Sequence, residues 1–304
     1  MRLNQIRDFL ATVEAGSIRG AARGLALSQP ALTKSLRLLE NELGAVLLVR
    51  GVRGARPTEL GRAFLARARA VSADLQRARE ELAQLRGSRA GSLSIGAAPG
   101  PMLSLLPAAL ARVRKLWPEA TFRIVDVSPS GVLPALREGA LDFAVCASVG
   151  PLAGAGAEYA VEHLYPNDAA IVVRPGHRLS RARRIAALAG AEWIRSGYPG
   201  DSSALPEIMR QAGLPPPNYR FDCPSFLMVP ELVARTDLLA VVPWQIAVRE
   251  SRAGRLARVP LIDKLPPRRI CLYRRADVPL TPIASQCTEI LREEARRQRR
   301  AAWA

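Results

Sequence analysis

Three observations predict a multidomain chain of α+β class. Apolar residues recur at helical steps up to about residue 86, then give way to strands alternating with helices. Between these regions, from Thr58 to Arg86, runs an uninterrupted helical stretch whose apolar residues step by four and three. The 304 residues suit about two domains at roughly 100–200 residues each, and 49% hydrophobic composition can fill a core in both.

In the first region, Leu3, Ile6, Leu10 and Val13 recur at helical spacing until Gly16-Ser17 breaks the run. Ser17 can cap a second helix whose apolar face is Ala21, Ala22 and Leu25. Leu27 to Pro30 makes the next turn. Ser28 is a good N-cap there, and Pro30 suits an early helical position because its missing N–H would lack a partner anyway. The third helix runs to about Leu43, where Gly44 stops it, with Leu32, Leu36, Leu39 and Leu43 facing inward. Residues 47–58 read as two short strands around Gly51 and Gly54, a basic hairpin. Helix, turn, helix and hairpin together make a winged helix-turn-helix.

The middle helix carries Phe64, Ala68, Val71, Leu75, Ala78, Leu82 and Leu85 as a coiled-coil seam. At 1.5 Å rise per residue it is a rod of about 40 Å. Residues 86–91 read as a hinge. Beyond it, strands are expected at 92–97, 121–127, 141–146, 157–164, 168–174, 191–195, 218–222, 238–242 and 268–274. Helices are expected at 101–116, 130–138, 202–212, 226–235, 244–252 and 281–301. That alternation predicts an α/β sandwich with mostly parallel strands. Loops fall at 149–156 and 213–217, and residues 296–300 form an Arg-rich tail. The expected division is 1–58, the winged helix-turn-helix; 59–88, a linker helix and hinge; and 89–304, the α/β domain. The α/β domain splits into subdomains at 89–162 with 268–304, and at 163–267.

A net charge of +17 and a sequence pI of about 11.1 favour a polyanionic partner, although Arg-rich composition alone can give the same numbers. Over residues 1–58 there are nine Lys and Arg (2, 7, 19, 23, 34, 37, 50, 53, 56) against four Asp and Glu (8, 14, 40, 42), a local balance of +5. Gln29, Thr33, Lys34 and Arg37 share the outer side of the third helix with Ser28 and Pro30 at its start. Amide, hydroxyl and cation are the groups that read base edges and phosphates in a major groove. The hairpin adds Arg50, Arg53 and Arg56 for flanking phosphates or a minor groove. Any one of these residues fits an ordinary solvated surface equally well; the ordered combination favours double-stranded DNA.

Catalytic chemistry finds no support. His163 and His177 lack a nucleophile or carboxylate at catalytic spacing and read as structural. Cys146, Cys223, Cys271 and Cys287 are scattered, without metal spacing, and fit a reduced cytoplasmic compartment. Cys223 reads as a small buried residue in preference to a redox centre. No dinucleotide fingerprint, P-loop or HExxH occurs, so no cofactor and no metal are expected, and the chain does not read as an enzyme. The N-terminus lacks an apolar signal core and no run of about 18 apolar residues exists, so no membrane association is expected.

In an α/β domain, ligands gather at the carboxyl ends of parallel strands. Four places qualify. The first strand feeds Ala98, Pro99 and Gly100 into a helix at Pro101 and Met102, where backbone N–H groups could meet an anion. Ser148 follows the strand at 141–146. Ser196 and Gly197 follow the strand at 191–195, ahead of a helix opening at Asp201-Ser202-Ser203. Ser225 and Phe226 open another helix. A serine before a helix is often only a cap.

The stretch from Phe9 to Leu65 resembles the N-terminal domain of LysR-type transcriptional regulators. The likeness rests on Ala21-Ala22, Ser28 to Leu32, Leu39-Glu40, Leu43-Gly44, Leu47, Arg50, Thr58 and Gly61, all at the family's spacing. Leu48-Val49 departs from it, where the family usually has Phe and a polar residue. The hinge and C-terminal half also line up. The stretch CPSFLMVPELVARTDLLAVVP is similar to the subgroup that includes the toluenesulfonate-responsive regulator. The resemblance implies a periplasmic-binding-protein-like sensor of two subdomains and a homo-oligomer, dimer or tetramer, formed through the linker helix. It implies promoter DNA and a small-molecule co-inducer as partners, with RNA polymerase a further one. Gln29, Pro30, Thr33, Lys34 and Arg37 then map onto a recognition helix. Ala98 and Gly100 stand where the family often has Ser and Thr. Excess positive charge and the subgroup likeness point to an anionic co-inducer, an aromatic or organic acid. The competing expectation is an α/β solute-binding protein or enzyme with a basic N-terminal region.

Overall fold

A computed structural model of the chain describes residues 1–51, 54–148, 157–197, 204–263, 265 and 268–302. It divides into two compact units, Met1–Ser88 with Pro134–Leu141, and Arg89–Leu133 with Asp142–Ala304.

The first unit opens with α1 (Leu3–Ala15), α2 (Ile18–Gly24) and α3 (Gln29–Leu43). Gly16 and Gly44 end α1 and α3 in the left-handed conformation, and the Ser17 and Ser28 hydroxyls accept N–H bonds from Gly20 and Ala31. Phe9, Leu32, Leu36 and Leu39 form the fully buried centre, with Ile6, Ala21 and Ala22 around them. Leu43, expected to face inward, is exposed, as is Leu3. Each lies at a helix end, beyond the point where a neighbouring helix covers it. Phe9 takes the central place instead and meets Phe64 edge-on, ring centres 5.2 Å apart.

The hairpin is β1 (Leu48–Gly51) paired antiparallel with β2 (Gly54–Pro57). It is sewn to the helices where Ala55 N–H donates to the Gly16 carbonyl at 2.8 Å. A side chain at Gly54, whose φ is +104°, would run into that same carbonyl. Arg53, at the expected tip, lies outside the described residues. The long helix α4 (Glu59–Leu85) starts at Thr58, whose hydroxyl accepts from Gly61 N–H at 2.9 Å and donates to the Val46 carbonyl at 2.7 Å. Phe64, Leu65 and Ala68 pack on the three-helix core. Further along, Val71, Ala78, Leu82 and Leu85 of the expected seam are exposed.

The second unit contains two five-stranded sheets. Along the chain from Ala90 the elements are β3 (Ala90–Ala97), α5 (Pro99–Ser104), α6 (Leu106–Leu116), β4 (Glu119–Asp126), α7 (Pro129–Arg137), β5 (Phe143–Ala147), β6 (Tyr159–Asn167) and β7 (Ala169–Val173). A 3-10 turn at Ile185–Leu188 follows. Then come β8 (Glu192–Ser196), α8 (Ala204–Gln211), β9 (Asn218–Cys223), α9 (Met228–Arg235), β10 (Leu239–Pro243), α10 (Trp244–Arg252), β11 (Ala257–Arg258), β12 (Arg268–Arg275) and α11 (Pro282–Ala302). The strand orders are β4-β3-β5-β12-β6 and β11-β7-β10-β8-β9. Leu93, Ile95, Phe143 and Val145 anchor the core of the first sheet; Trp193, Val172, Ala240 and Val229 anchor the second.

Strands are mostly parallel, as expected, with one exception in each sheet: β12 runs antiparallel to both β5 and β6, and β7 antiparallel to both β10 and β11, while the other four strands of each sheet run one way. β7 and β12 are the strands by which the chain enters the second sheet and returns from it, so they run against their neighbours. Several expectations are corrected. β6 stays in the first sheet through Asn167, so the crossing falls at Asp168 and not at 162–163. The expected helix 101–116 breaks at Leu105, since Pro107 in a continuous helix would remove a bond and clash with the Leu103 carbonyl. Ala90 and Gly91, read as hinge, already belong to β3. The loop at 149–156 and the helix opening at Asp201-Ser202-Ser203 lie outside the described residues.

Candidate functional site: a polar helix face and an interstrand cavity

On α3, Leu32, Leu36 and Leu39 take the buried side, which leaves the opposite side to solvent. Gln29, Pro30, Thr33, Lys34, Arg37 and Leu38 together line a shallow concavity there. Ser28, Gln29, Pro30, Lys34 and Arg37 are exposed, and Thr33 is half-buried between them. Ser28 does act as a cap, its hydroxyl 3.3 Å from Ala31 N. Ser35, about two turns along, donates to the buried Asp8 carboxylate at 2.6 Å and so fixes α3 against α1.

The hairpin arginines differ in state. Arg56 is exposed on β2 opposite Val49. Arg50 instead pairs with Glu40 at 2.6 Å, and that carboxylate also accepts the Leu47 and Leu48 N–H groups at 2.9 and 3.1 Å. Arg50 therefore braces the wing to α3. Local spacing carried no sign of this, because the partners are ten residues apart in different elements.

In the second unit, a cavity of about 120 Å³ opens where strands of the two sheets end. The carboxyl ends of β3, β5, β6, β8 and β10 and the amino ends of β7 and β12 meet around it. Of the expected ligand residues, Ala98, Pro99, Gly100, Pro101, Ser196, Gly197 and Phe226 line it. Met102, Ser148 and Ser225 do not. Met102 packs on the first sheet's core, Ser148 N–H donates to the Arg269 carbonyl at 2.8 Å, and the Ser225 hydroxyl accepts from Met228 N–H at 3.4 Å. The Ser196 hydroxyl donates to the Val241 carbonyl, which leaves it an acceptor toward the cavity.

The expected anion cradle at the start of α5 is not built. Pro99 and Pro101 have no N–H, Ala98 N–H donates to the Val145 carbonyl, and Met102 N–H donates to the Ala98 carbonyl. Only Gly100 keeps an N–H, on a helix of six residues. The positive charge comes from elsewhere: Arg268 is the charged residue among the described lining. Asn167 joins it, and Val127, Ala169, Val241, Val242 and Ile270 supply apolar wall. Arg268, Asn167 and these wall residues were missed because β12 returns about a hundred residues after β6, a pairing no local pattern reveals.

Neither histidine and none of the cysteines lines the cavity. His177 is buried; its Nδ1 accepts from Leu179 N–H at 3.0 Å and its Nε2 lies 3.2 Å from the Asp237 carbonyl. His163 stands in β6 opposite Cys271. All four cysteines are buried thiols outside any disulfide. Burial pushes the Cys287 thiol up to about 12 and raises that of Cys271. The Cys223 sulfur, 7% exposed, lies 3.7 Å from the Ser225 carbonyl. Among the described residues no group of three or more His, Cys, Asp or Glu could hold a metal, and no helix is long and apolar enough to cross a membrane.

Comparison with known proteins matches two family models along the chain. The model for the bacterial regulatory helix-turn-helix protein, lysR family, matches residues 3–62, and that for the LysR substrate binding domain matches residues 86–296. The chain is 32% identical over 298 residues to the SDS degradation transcriptional activation protein of Pseudomonas sp. (strain ATCC 19151), covering 96% of each. It is 28% identical to the HTH-type transcriptional regulator GbpR of Azospirillum brasilense, covering 96% of this chain and 86% of the other. Among solved structures, full-length CbnR complexed with its target DNA superposes with a TM-score of 0.71 at 22% identity, over 97% of this chain and 100% of that one. ArgP from Mycobacterium tuberculosis superposes with a TM-score of 0.70 at 20% identity, over 96% of each chain. With both halves matched in order over nearly its whole length, the chain belongs to the LysR family of DNA-binding transcriptional regulators, which carry an effector-binding domain and are not enzymes.

Proposed function

We propose that α3 is the recognition helix, entering the major groove of promoter DNA with Gln29, Thr33 and Arg37 at base edges and Ser28 and Lys34 at phosphates. The observation that carries this reading is the continuous exposed polar face of α3, opposite a fully buried leucine face. Arg56 extends the positive surface along the wing, and Arg53, outside the described residues, is assigned the same role from the sequence. The protein then works in the cytoplasm as a homo-oligomer, dimer or tetramer, through the exposed seam of α4. Two recognition helices about 34 Å apart, one DNA turn, read paired half-sites, and RNA polymerase is the downstream partner. Residues 1–58 form the DNA-binding domain, 59–88 the linker, and 89–304 the effector domain.

Gel-shift titrations with DNA upstream of the protein's own start codon test this reading. Gln29→Ala or Arg37→Ala should weaken specific over non-specific binding by about 1–3 kcal/mol. Lys34→Ala should weaken all sequences alike and reduce the salt slope by about one. Unchanged specific binding by Gln29→Ala would remove α3 from the major groove.

The cavity between the sheets is the proposed effector site, and a small organic acid its effector. An apolar wall with a single described cation suits a carboxylate or sulfonate on a compact hydrocarbon body. Its size supports the same limit, since an engineered cavity of about 150 Å³ holds benzene. Thermal-shift screening checks the charge: small carboxylates and sulfonates should raise the melting temperature, and a response to neutral or cationic compounds alone would refute it.

A further inference from the structure

The cavity holds an unmet polar demand. Asn167 is 8% exposed, and its Oδ1 is buried without a hydrogen-bond partner. The Oε1 of Gln245, at the start of α10, is likewise buried and unpartnered. Both amides crowd Gly100: a Cβ built there would lie 3.2 Å from Gln245 Oε1 and 3.8 Å from Asn167 Nδ2. A buried amide left without a partner costs free energy, so such a group calls for a ligand atom or an ordered water.

The placement of Asn167 says which part of a ligand it meets. Asn167 and Arg268 are direct cross-strand partners, at the last residue of β6 and the first of β12. Directly opposed residues of an antiparallel pair project from the same face, their Cβ atoms about 4.5–5.5 Å apart. Both also line the cavity. A guanidinium takes a carboxylate or sulfonate through parallel N–H bonds. The amide beside it then faces a ligand atom close to the acid group. An amide presents donors at one end and an acceptor at the other, and a hydroxyl can serve either.

We infer that the effector is a hydroxy acid: a small carboxylate or sulfonate whose acid group meets Arg268 and whose neighbouring hydroxyl meets the Asn167 amide. Asn167 is the specificity-determining residue, and Gln245 backs it behind Gly100. This assignment rests on the reading of the cavity as the effector site.

Calorimetric titration of the full-length protein with matched acids differing by one hydroxyl provides the test. Suitable pairs are benzoate with 2-hydroxybenzoate, benzenesulfonate with 2-hydroxybenzenesulfonate, and propanoate with 2-hydroxypropanoate. The hydroxylated member of at least one pair should bind tenfold or more tightly than its partner, and the pair that responds separates carboxylate from sulfonate. In Asn167→Leu that ratio should collapse toward one; in Arg268→Gln both members should weaken while the ratio persists. Wild-type binding of both members within twofold, in every pair that binds, overturns the inference by showing that water satisfies the amide; it leaves the organic-acid reading standing. A preference that survives Asn167→Leu overturns it as well. If no acid of any pair binds while neutral 2-hydroxybenzamide does, the organic-acid reading itself fails and takes this inference with it. The wild-type pairs decide even where a variant does not fold.

Discussion

The Glu40 carboxylate holds the Arg50 guanidinium at 2.6 Å while accepting two backbone N–H groups from Leu47 and Leu48. One side chain on α3 thus fixes where the wing begins. Glu40→Ala should strand two partly buried N–H groups and free Arg50, lowering stability by about 1–3 kcal/mol. Arg50→Ala should cost less, since Glu40 keeps its backbone partners. Urea unfolding of both variants, followed by DNA titration, checks the order. If Arg50→Ala lowers DNA affinity strongly with no change in stability, Arg50 is a phosphate contact and not a brace.

Gly61 illustrates a glycine required by space. An added Cβ would lie 2.0 Å from the Leu47 carbonyl oxygen, a backbone atom that cannot move aside alone. Gly61→Ala should destabilise the first unit by about 1–3 kcal/mol or more through this overpacking. Gly24→Ala, with nothing within 4 Å of the added carbon, is the matched control. Thermal melts of the two variants should separate clearly.

The outer half of α4 leaves Val71, Leu82 and Leu85 exposed at 43%, 58% and 70%. If that stripe is the self-association seam, burying each leucine contributes roughly 1.5–3 kcal/mol to assembly. Leu82→Asp should shift the protein toward monomer in sedimentation velocity without lowering the cooperativity of unfolding. Ala83, exposed and about 100° round the helix from Leu82, supplies the control as Ala83→Asp. Equal sedimentation of wild type and Leu82→Asp would move the interface elsewhere.

Burial raises the Cys287 thiol from 9.0 to about 12 and the Tyr165 hydroxyl from 10.0 to about 12. Raised folded values mean that the stabilising preference for the neutral form is complete below the unfolded values. It is lost as pH rises through the folded ones. Stability of the second unit should therefore hold up to about pH 9 and decline between pH 9 and 12. Cys287→Ala should flatten part of that decline in an alkaline denaturation series. At pH 8, native protein should resist iodoacetamide at all four cysteines until it is unfolded, because all four are buried.

Local order was legible in the sequence wherever a short-range rule governed it. The serine and threonine caps at 17, 28 and 58, the left-handed glycines at 16 and 44 and the leucine face of α3 follow from hydrogen bonding and periodicity within a few residues. So did the exposed set on α3, since a helix with one buried stripe must present the other. The break of the 101–116 helix before Pro107 and the single N–H at the start of α5 were legible too, since proline carries no N–H. Tertiary structure alone decided two things. It joined Arg50 to Glu40, which gives that arginine a partner within the protein. It also brought Arg268 beside Asn167, a register set by a strand that returns after crossing a whole second sheet. Short-range bonding is written in neighbouring residues; the pairing of distant strands depends on how the entire chain closes its two cores, and the chemistry of the cavity sits at that closure.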